Sequence, residues 1–184
     1  MFAVAFLIAL AATPAARRAG LRLDVQDRPG GRRSHQGAVP RTGGAAMYLG
    51  FTVAVLATLL LPQSLFPPRL DPGEQTRLTG LLIGVTAIFL FGLLDDRREL
   101  GSKVQYAVQV ASALIAIAFI IFIERVNNPF TNEQIVFPWP VVGLLTIFWF
   151  TGMINTVNWL DGLDGLAAGV SAIVAAFICI HMVR

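Results

Sequence analysis

Two adjacent carboxylates, Asp95 and Asp96, directly follow residues 78–94, a run that carries no charge. Adjacent carboxylates repel each other, and one of them tends to take up a proton unless a cation lies nearby. Mg²⁺ is a suitable cation, because it favours one or two protein carboxylates together with waters and the oxygens of a bound phosphate. Asp95 and Asp96 are therefore candidate catalytic and metal-binding residues, with Mn²⁺ as the alternative ion. The other interpretation is a solvated helix end whose charge is balanced by Arg97 and Arg98.

A second polar segment has carboxamides and carboxylates at a regular spacing of three residues: Asn155, Asn158, Asp161 and Asp164. In one unbroken α-helix each three-residue step would drift by about 60° around the axis, so these groups would be scattered. Gly162 and Gly165 instead allow the backbone to turn and to approach a ligand closely. We predict that a helix ends here and that these residues, with Gly162 and Leu163, form a substrate-binding pocket. A polar hinge between two helices is the alternative.

A third candidate segment is basic and precedes residue 42. Its candidate substrate-binding residues are Asp27, Arg32, His35 and Arg41, and glycines lie among them. Arginine side chains and exposed backbone N–H groups near the start of a helix suit phosphate binding, because the helix dipole is positive there. An anchor on anionic lipid would explain the other arginines of this segment. It would not explain His35, or Asp27 among so many arginines.

The elements that must position these residues are apolar. Only 14% of the 184 residues are charged, against about 25% in a typical soluble domain, and 55% are hydrophobic. Crossing a bilayer core of roughly 30 Å takes about 20 apolar residues per helix. A soluble globule is therefore excluded, and we predict an all-α, polytopic membrane helix bundle that forms a single membrane domain over residues 1–184. Six transmembrane helices are expected near 1–19, 42–62, 78–96, 104–124, 138–160 and 165–183. Four glycines in these runs are predicted to permit close helix crossings: Gly50, Gly84, Gly143 and Gly169.

The charges between the spans predict their orientation. Loops 17–41, 95–103 and 161–164 hold ten of the 14 Lys and Arg residues. Short cytoplasmic loops carry such an excess, so these loops should be cytoplasmic and the N-terminus outside. All three candidate segments would then meet at one membrane face, and we expect Asp95, Asp96 and Asp161 to share one divalent cation there. The basic residues form no continuous footprint, so no nucleic-acid partner is expected.

In combination the motifs resemble those of the polyprenyl-phosphate N-acetylhexosamine 1-phosphate transferases, also called glycosyltransferase family 4. In chain order they are Asp27-x-Pro29-x-x-Arg32-x-x-His35, Pro40-Arg41-x-Gly43-Gly44, Gly92-Leu93-Leu94-Asp95-Asp96 and Asn155-x-x-Asn158-x-x-Asp161-Gly162-Leu163-Asp164-Gly165-Leu166-x-x-Gly169. The pattern before residue 42 looks more like the bacterial N-acetylglucosamine 1-phosphate branch than the branch that makes peptidoglycan precursors.

The resemblance implies an enzyme that transfers N-acetylhexosamine 1-phosphate, expected to be GlcNAc 1-phosphate, from a UDP-sugar to undecaprenyl phosphate or another polyprenyl phosphate. UMP would be released and cell-wall or surface polysaccharide synthesis would begin. By the same resemblance Asp95 and Asp96 would assist attack and place Mg²⁺, and Asp161 and Asp164 would hold the nucleotide. Direct displacement and a covalent aspartyl intermediate are both compatible with these roles. The active site would face the cytoplasm from a bacterial inner (plasma) membrane. The oligomeric state, a homodimer included, stays open.

Members of this family usually have about ten spans, and their second half contributes a further Asp and a His-containing loop. This chain has six apolar runs, so we expect it to be the N-terminal half of a longer transferase and to be inactive alone. One alternative is a fragment of a membrane transporter, which would place polar residues midway along several spans. Another is an inactive truncated membrane scaffold, which would need none of the Asp motifs.

Overall fold

The computed structural model describes residues 1–27, 39–61, 71–163 and 165–183. These residues form six helices: α1 (Phe2–Arg22), α2 (Gly43–Leu60), α3 (Glu74–Arg98), α4 (Ser102–Ala118), α5 (Trp139–Leu160) and α6 (Leu166–Val183). They also form two antiparallel ribbons, in which β1 (Gln26–Asp27) pairs with β2 (Val39–Pro40) and β3 (Arg125–Asn127) pairs with β4 (Gln134–Val136). The predicted all-α bundle is confirmed, and the two short ribbons add to it.

Four of the described helices, α1, α2, α3 and α5, are long and apolar enough by length and composition to cross a membrane. α4 and residues 166–181 of α6 are also apolar, but shorter. At 1.5 Å per residue the 17 residues of α4 extend about 26 Å, less than the roughly 30 Å of a bilayer core. The chain is a multi-pass membrane protein, although not every predicted span is a full-length helix.

The helix of the fourth apolar run ends at Ala118, earlier than the predicted residue 124. Ile120 has a left-handed backbone with φ 62°, which a right-handed α-helix does not contain. The chain beyond it is held by α5, because Oγ1 of the fully buried Thr146 accepts a hydrogen bond from the backbone N–H of Ile123 at 3.0 Å. This hydrogen bond supplies a partner for a backbone group that the helix no longer satisfies.

α1 and α2 pack as an antiparallel pair. A Cβ on Gly50 would lie 2.6 Å from the backbone O of Ala5, so the helices meet here through their backbones. Near the other end Gly20 faces Thr42, whose Oγ1 donates a hydrogen bond to the backbone O of Ala16 at 2.7 Å. The predicted close crossing is thus confirmed at Gly50. It is wrong for the other three glycines, since within the described ranges a Cβ on Gly84, Gly143 or Gly169 would contact nothing.

α3 packs against α2 on one side and α4 on the other. The ring of Tyr48 on α2 stacks on Phe89 with the centroids 4.1 Å apart, and its hydroxyl lies 2.8 Å from Oγ1 of Thr86. On the α4 side, Phe119 fills the space that a Cβ on Gly80 would need. Consecutive helices are therefore neighbours, and α3 lies between α2 and α4.

One end of the bundle brings the candidate segments together. Arg41, just before α2, pairs with Glu99, just after α3. Gln105, in the first turn of α4, contacts Asp95 in the last turn of α3. Because α4 runs away from this end, the β3–β4 ribbon that follows it lies at the opposite end of the bundle.

Candidate functional site

Asp95 is held at both carboxylate oxygens. The backbone N–H of Leu100 donates to Oδ1 and Nε2 of Gln105 donates to Oδ2, each at 2.9 Å. The first bond depends on Glu99, which has φ 47° and ψ 60° and so turns the chain back toward the end of α3. The half-buried carboxylate of Asp95 is thereby fixed in one orientation.

Asp96 is half-buried beside this group and lies within electrostatic range of both Asp95 and Arg41. Nη2 of Arg41 lies 3.6 Å from Oε1 of Glu99, which joins the segment before α2 to the end of α3. The backbone N–H of Arg41 also donates to the backbone O of Val25 at 3.2 Å. One of the residues predicted from the basic segment therefore lies next to the acidic pair.

The polar segment at the end of α5 ends a helix, as predicted. α5 stops at Leu160, and Gly165, with φ 79°, turns the chain into α6. Nδ2 of the half-buried Asn155 donates to Oε1 of Gln109 at 2.8 Å, and Nε2 of Gln109 donates back to Oδ1 of Asn155 at 3.4 Å. Nδ2 of Asn155 also donates to the backbone O of Thr151 at 2.8 Å. The Asn155 carboxamide is thus fixed between α4 and its own helix.

A cavity of about 170 Å³ lies between α3, α4 and α5. Five of its lining residues are polar: Asp95, Gln105, Gln109, Asn155 and Asn158. An adjoining cleft of about 380 Å³ shares Gln105, Gln109 and Asn155 with it and is also lined by Ser102, Lys103 and Tyr106. A carboxylate, several carboxamides and a nearby ammonium group suit a polar ligand that carries phosphate.

Some predicted residues lie apart from this cavity. Asp161, Gly162 and Leu163 are in the exposed turn after α5 and do not line it. Among the residues with described positions, no three His, Cys, Asp or Glu side chains come together in a way that could hold a metal ion. The expectation that Asp95, Asp96 and Asp161 share one cation is therefore wrong for this structure, whereas a metal role of Asp95 and Asp96 alone stays a prediction. Arg32, His35 and Asp164 lie outside the described residues, and of Asp27 only the backbone, in β1, is described.

Gln105 and Gln109 are site residues that the sequence analysis did not select. They are four residues apart within the charge-free run 104–123, so they lie on one face of α4. Polar side chains are costly inside a membrane unless they have partners or a function. Two carboxamides at this spacing in a mostly apolar helix could therefore have indicated, from the sequence alone, that this face of α4 contributes to a polar site.

The acidic pair has the donor chemistry that Mg²⁺ needs. Each carboxylate oxygen has two lone pairs, so the two hydrogen bonds to Asp95 leave acceptor capacity on both of its oxygens. Mg²⁺ commonly takes only one or two protein carboxylates and fills its other positions with water and phosphate oxygens. Asp95 and Asp96 therefore fit such an ion without a third acidic residue.

Comparison with known proteins agrees with the motifs. The family model for glycosyl transferase family 4 matches residues 78–184, more than half of the chain. The chain is 32% identical over 172 residues to a probable undecaprenyl-phosphate N-acetylglucosaminyl 1-phosphate transferase of Bacillus subtilis (strain 168), a match that covers 94% of this chain and 44% of that protein. No solved structure matches the chain.

Two further relatives have similar names. The chain is 34% identical over 165 residues to a decaprenyl-phosphate N-acetylglucosaminephosphotransferase of Mycobacterium leprae (strain TN), covering 88% of this chain and 40% of that protein. It is 28% identical over 171 residues to the undecaprenyl-phosphate alpha-N-acetylglucosaminyl 1-phosphate transferase of Escherichia coli (strain K12), covering 91% and 42%. The chain thus spans less than half the length of these relatives. On the family match, the chain belongs to glycosyl transferase family 4, as its motifs predicted.

Proposed function

We propose that this chain contributes the site at which a polyprenyl phosphate, such as undecaprenyl phosphate, takes GlcNAc 1-phosphate from a UDP-sugar. The observation that carries the proposal is that one cavity is lined by Asp95 of α3 and by Asn155 and Asn158 of α5, with Asp96 and Arg41 close by. The names of the relatives support the choice of sugar and lipid. The reaction would begin the synthesis of a cell-wall or surface polysaccharide.

In the proposed reaction an oxygen of the lipid phosphate attacks the phosphorus that carries the sugar. The bond from that phosphorus to the bridging oxygen breaks, UMP leaves with the electron pair, and a lipid-linked diphosphate sugar remains. Little covalent chemistry is then required of the protein, and catalysis comes mainly from positioning and from stabilising spread negative charge. The cavity offers a fixed polar group for that work in Asp95, and Asn155 is a fixed group for binding the donor substrate.

Asp95 and Asp96 would hold Mg²⁺, or Mn²⁺ as the alternative. When bound, the ion would neutralise charge on the diphosphate. A phosphate monoester with a second pKa of about 6 is largely dianionic at neutral pH, so the attacking oxygen does not need a general base. We therefore assign the two carboxylates an electrostatic and positioning role. Removal of divalent ions with EDTA should abolish transfer, and added Mg²⁺ should restore it.

Among the described residues, Arg41 and Lys103 are cations placed to meet phosphate groups. Arg41 lies near Asp96 and Lys103 lines the cleft that adjoins the cavity. A cationic rim next to a carboxylate pair lets a site attract a diphosphate and still hold a divalent ion. We assign this end of the bundle to the cytoplasmic face of a bacterial inner membrane, since the excess of basic residues lies there.

The test uses the complete protein in lipid nanodiscs, supplied with UDP-GlcNAc, undecaprenyl phosphate and Mg²⁺. Release of UMP and formation of the lipid-linked sugar are measured for the wild type and for Asp95→Asn and Asp96→Asn. We expect each variant to lose about 10²-fold or more in rate, the scale of removing one group that stabilises charge in a transition state. Asp71→Asn is the control, because Asp71 is exposed and precedes α3 at the opposite end of the bundle.

Two results would contradict the proposal. One is a wild-type protein that releases no UMP from UDP-GlcNAc under these conditions. The other is unchanged synthesis by Asp95→Asn and Asp96→Asn, which would favour a membrane scaffold.

A further inference from the structure

We propose that Gln105 and Gln109 on α4 are two separate positioning residues, one for Asp95 and one for Asn155. The inference rests on the proposed function, because it assigns roles within the same cavity. Neither glutamine needs to touch the reacting atoms. Each acts through the side chain that it holds.

Gln105 fixes the Asp95 carboxylate. Its Nε2 donates to Oδ2 at 2.9 Å, on the other side of the carboxylate from the N–H of Leu100, which donates to Oδ1. With both oxygens engaged by donors from different parts of the chain, the carboxylate plane cannot rotate freely. Loss of the Gln105 donor would leave Asp95 held at one oxygen only. Groups of this kind, which orient a metal-binding carboxylate from behind, typically contribute about 10–100-fold to metal affinity or activity.

Gln109 fixes the Asn155 carboxamide through two hydrogen bonds in opposite directions, at 2.8 and 3.4 Å. Such an exchange is satisfied only when the two carboxamides are oriented in concert, with the N–H of each facing the O of the other. The remaining hydrogen of Nδ2 donates to Thr151, so Asn155 presents one defined edge to the cavity. Asn155 would then meet the nucleotide as a preorganised group.

The polar strip on α4 stops after these two residues. Ser112, the next residue on the same face, is buried and donates its hydroxyl to the backbone O of Val108 in its own helix. Gln105 and Gln109 differ from it because their side-chain amides bond to the neighbouring helices. One apolar helix thus carries two amides, each directed to a different wall of the cavity.

The two partners predict different kinetic effects. Asp95 is assigned to charge stabilisation during transfer, so Gln105→Met should lower kcat by about 10–100-fold with little change in the KM for the UDP-sugar. Asn155 belongs to the polar segment whose Asp161 and Asp164 the family resemblance assigns to the nucleotide, so we place it against the nucleotide as well. Gln109→Met should then raise that KM by about tenfold with a smaller effect on kcat. Methionine keeps the length and helix propensity of glutamine and removes its N–H and C=O groups. If the substitutions only destabilised α4, kcat and KM would change in the same way in Gln105→Met and in Gln109→Met.

Binding measurements give a readout that does not depend on turnover. In the complete protein in nanodiscs, Mn²⁺ binding is followed by electron paramagnetic resonance and UDP binding by calorimetry. Gln105→Met should weaken Mn²⁺ binding and Gln109→Met should weaken UDP binding. Gln75→Met is the control, because Gln75 is an exposed residue in the first turn of α3, at the other end of the bundle. It should change neither quantity.

Gln105→Asn is the second variant in case the first does not fold. It keeps the carboxamide but is one methylene shorter, so its donor no longer reaches Oδ2 of Asp95 and the same fall in kcat is expected. Parallel changes in kcat and KM in the Gln105 and Gln109 variants, or no change in either, would overturn the positioning roles while leaving the transferase intact. A wild-type protein without UMP release would overturn the proposed function, and the positioning roles would fall with it.

Discussion

Arg41 and Glu99 form an ion pair that joins the segment before α2 to the residue after α3, with Nη2 3.6 Å from Oε1. The two partners differ in exposure: the Glu99 side chain is 74% exposed, and that of Arg41 only 24%. A pair of this length with one exposed partner contributes about 0–1 kcal/mol to stability. The position of Arg41 near Asp96 therefore matters more than the ion pair itself.

The first prediction separates these two roles of Arg41. Arg41→Ala and Glu99→Ala both remove the ion pair, but only Arg41→Ala removes the cation beside the acidic pair. We expect Arg41→Ala to slow UMP release by about 10²-fold, as for loss of one charge-stabilising donor, and Glu99→Ala to leave the rate close to that of the wild type. The measurement is the transfer assay with the complete protein in nanodiscs. Equal losses in the two variants would show that the ion pair, and not the cation, is what the site needs.

The second prediction concerns the backbone at Glu99, whose φ of 47° is left-handed. Glu99→Gly and Glu99→Ala lose the same ion pair, but only glycine adopts this conformation without strain. The glycine variant should be more stable than the alanine variant by about 1 kcal/mol, the scale of left-handed strain in a residue with a Cβ. Thermal unfolding in detergent micelles, followed by circular dichroism, measures the difference. A more stable alanine variant would mean that the turn holding Leu100 against Asp95 is not left-handed.

The apolar helices and the end at which the site lies could be predicted from the sequence, because both depend on local composition. The charge-free run that precedes Asp95 corresponds to α3, and the predicted end of a helix near Asp161 is observed after Leu160. Hydrophobic runs determine span positions strongly, and the distribution of arginines between them indicates which loops share a face. The family motifs could be recognised for a similar reason, since each of them is contiguous in the chain.

Features that depend on pairs of distant residues could not be predicted in the same way. The chain that follows the early end of α4 is held by Thr146, which lies 23 residues after Ile123 and accepts its N–H. The pairing of Gln109 with Asn155 likewise spans 46 residues. These partners meet only when α4 and α5 are packed together. Local helix propensity therefore cannot predict such contacts.

The third prediction tests the hydrogen bond of Thr146. Thr146→Val keeps the shape of the side chain but leaves the N–H of Ile123 without its acceptor, which should cost about 1–3 kcal/mol. Thr151→Val is a matched control on the same helix. Thr151 is also buried, but its hydroxyl donates to the O of Ile147 within α5, and that carbonyl keeps its helical partner. Denaturant or thermal unfolding in micelles should therefore show a clear loss for Thr146→Val and a small one for Thr151→Val. Equal losses of stability in the two variants would mean that replacing a buried threonine, and not losing the hydrogen bond to Ile123, causes the effect.

The fourth prediction uses two glycines in membrane helices that have opposite surroundings. A Cβ on Gly50 would lie 2.6 Å from the backbone O of Ala5 and 3.1 Å from Cβ of Ala9, whereas a Cβ on Gly143 would contact nothing within 4 Å. Gly50→Ala must push α1 away from α2, since a backbone oxygen cannot rotate aside, and such overpacking costs about 1–3 kcal/mol.

Gly143→Ala should have the opposite sign, because alanine favours a helix interior over glycine by about 0.5–1 kcal/mol where space is free. The melting temperatures of the two variants in micelles should therefore lie on either side of that of the wild type. A destabilised Gly143→Ala variant would indicate that another surface packs against α5 at this position. If the melting temperature of Gly50→Ala equals that of the wild type, the backbones of α1 and α2 must lie farther apart at Gly50 than the structure shows.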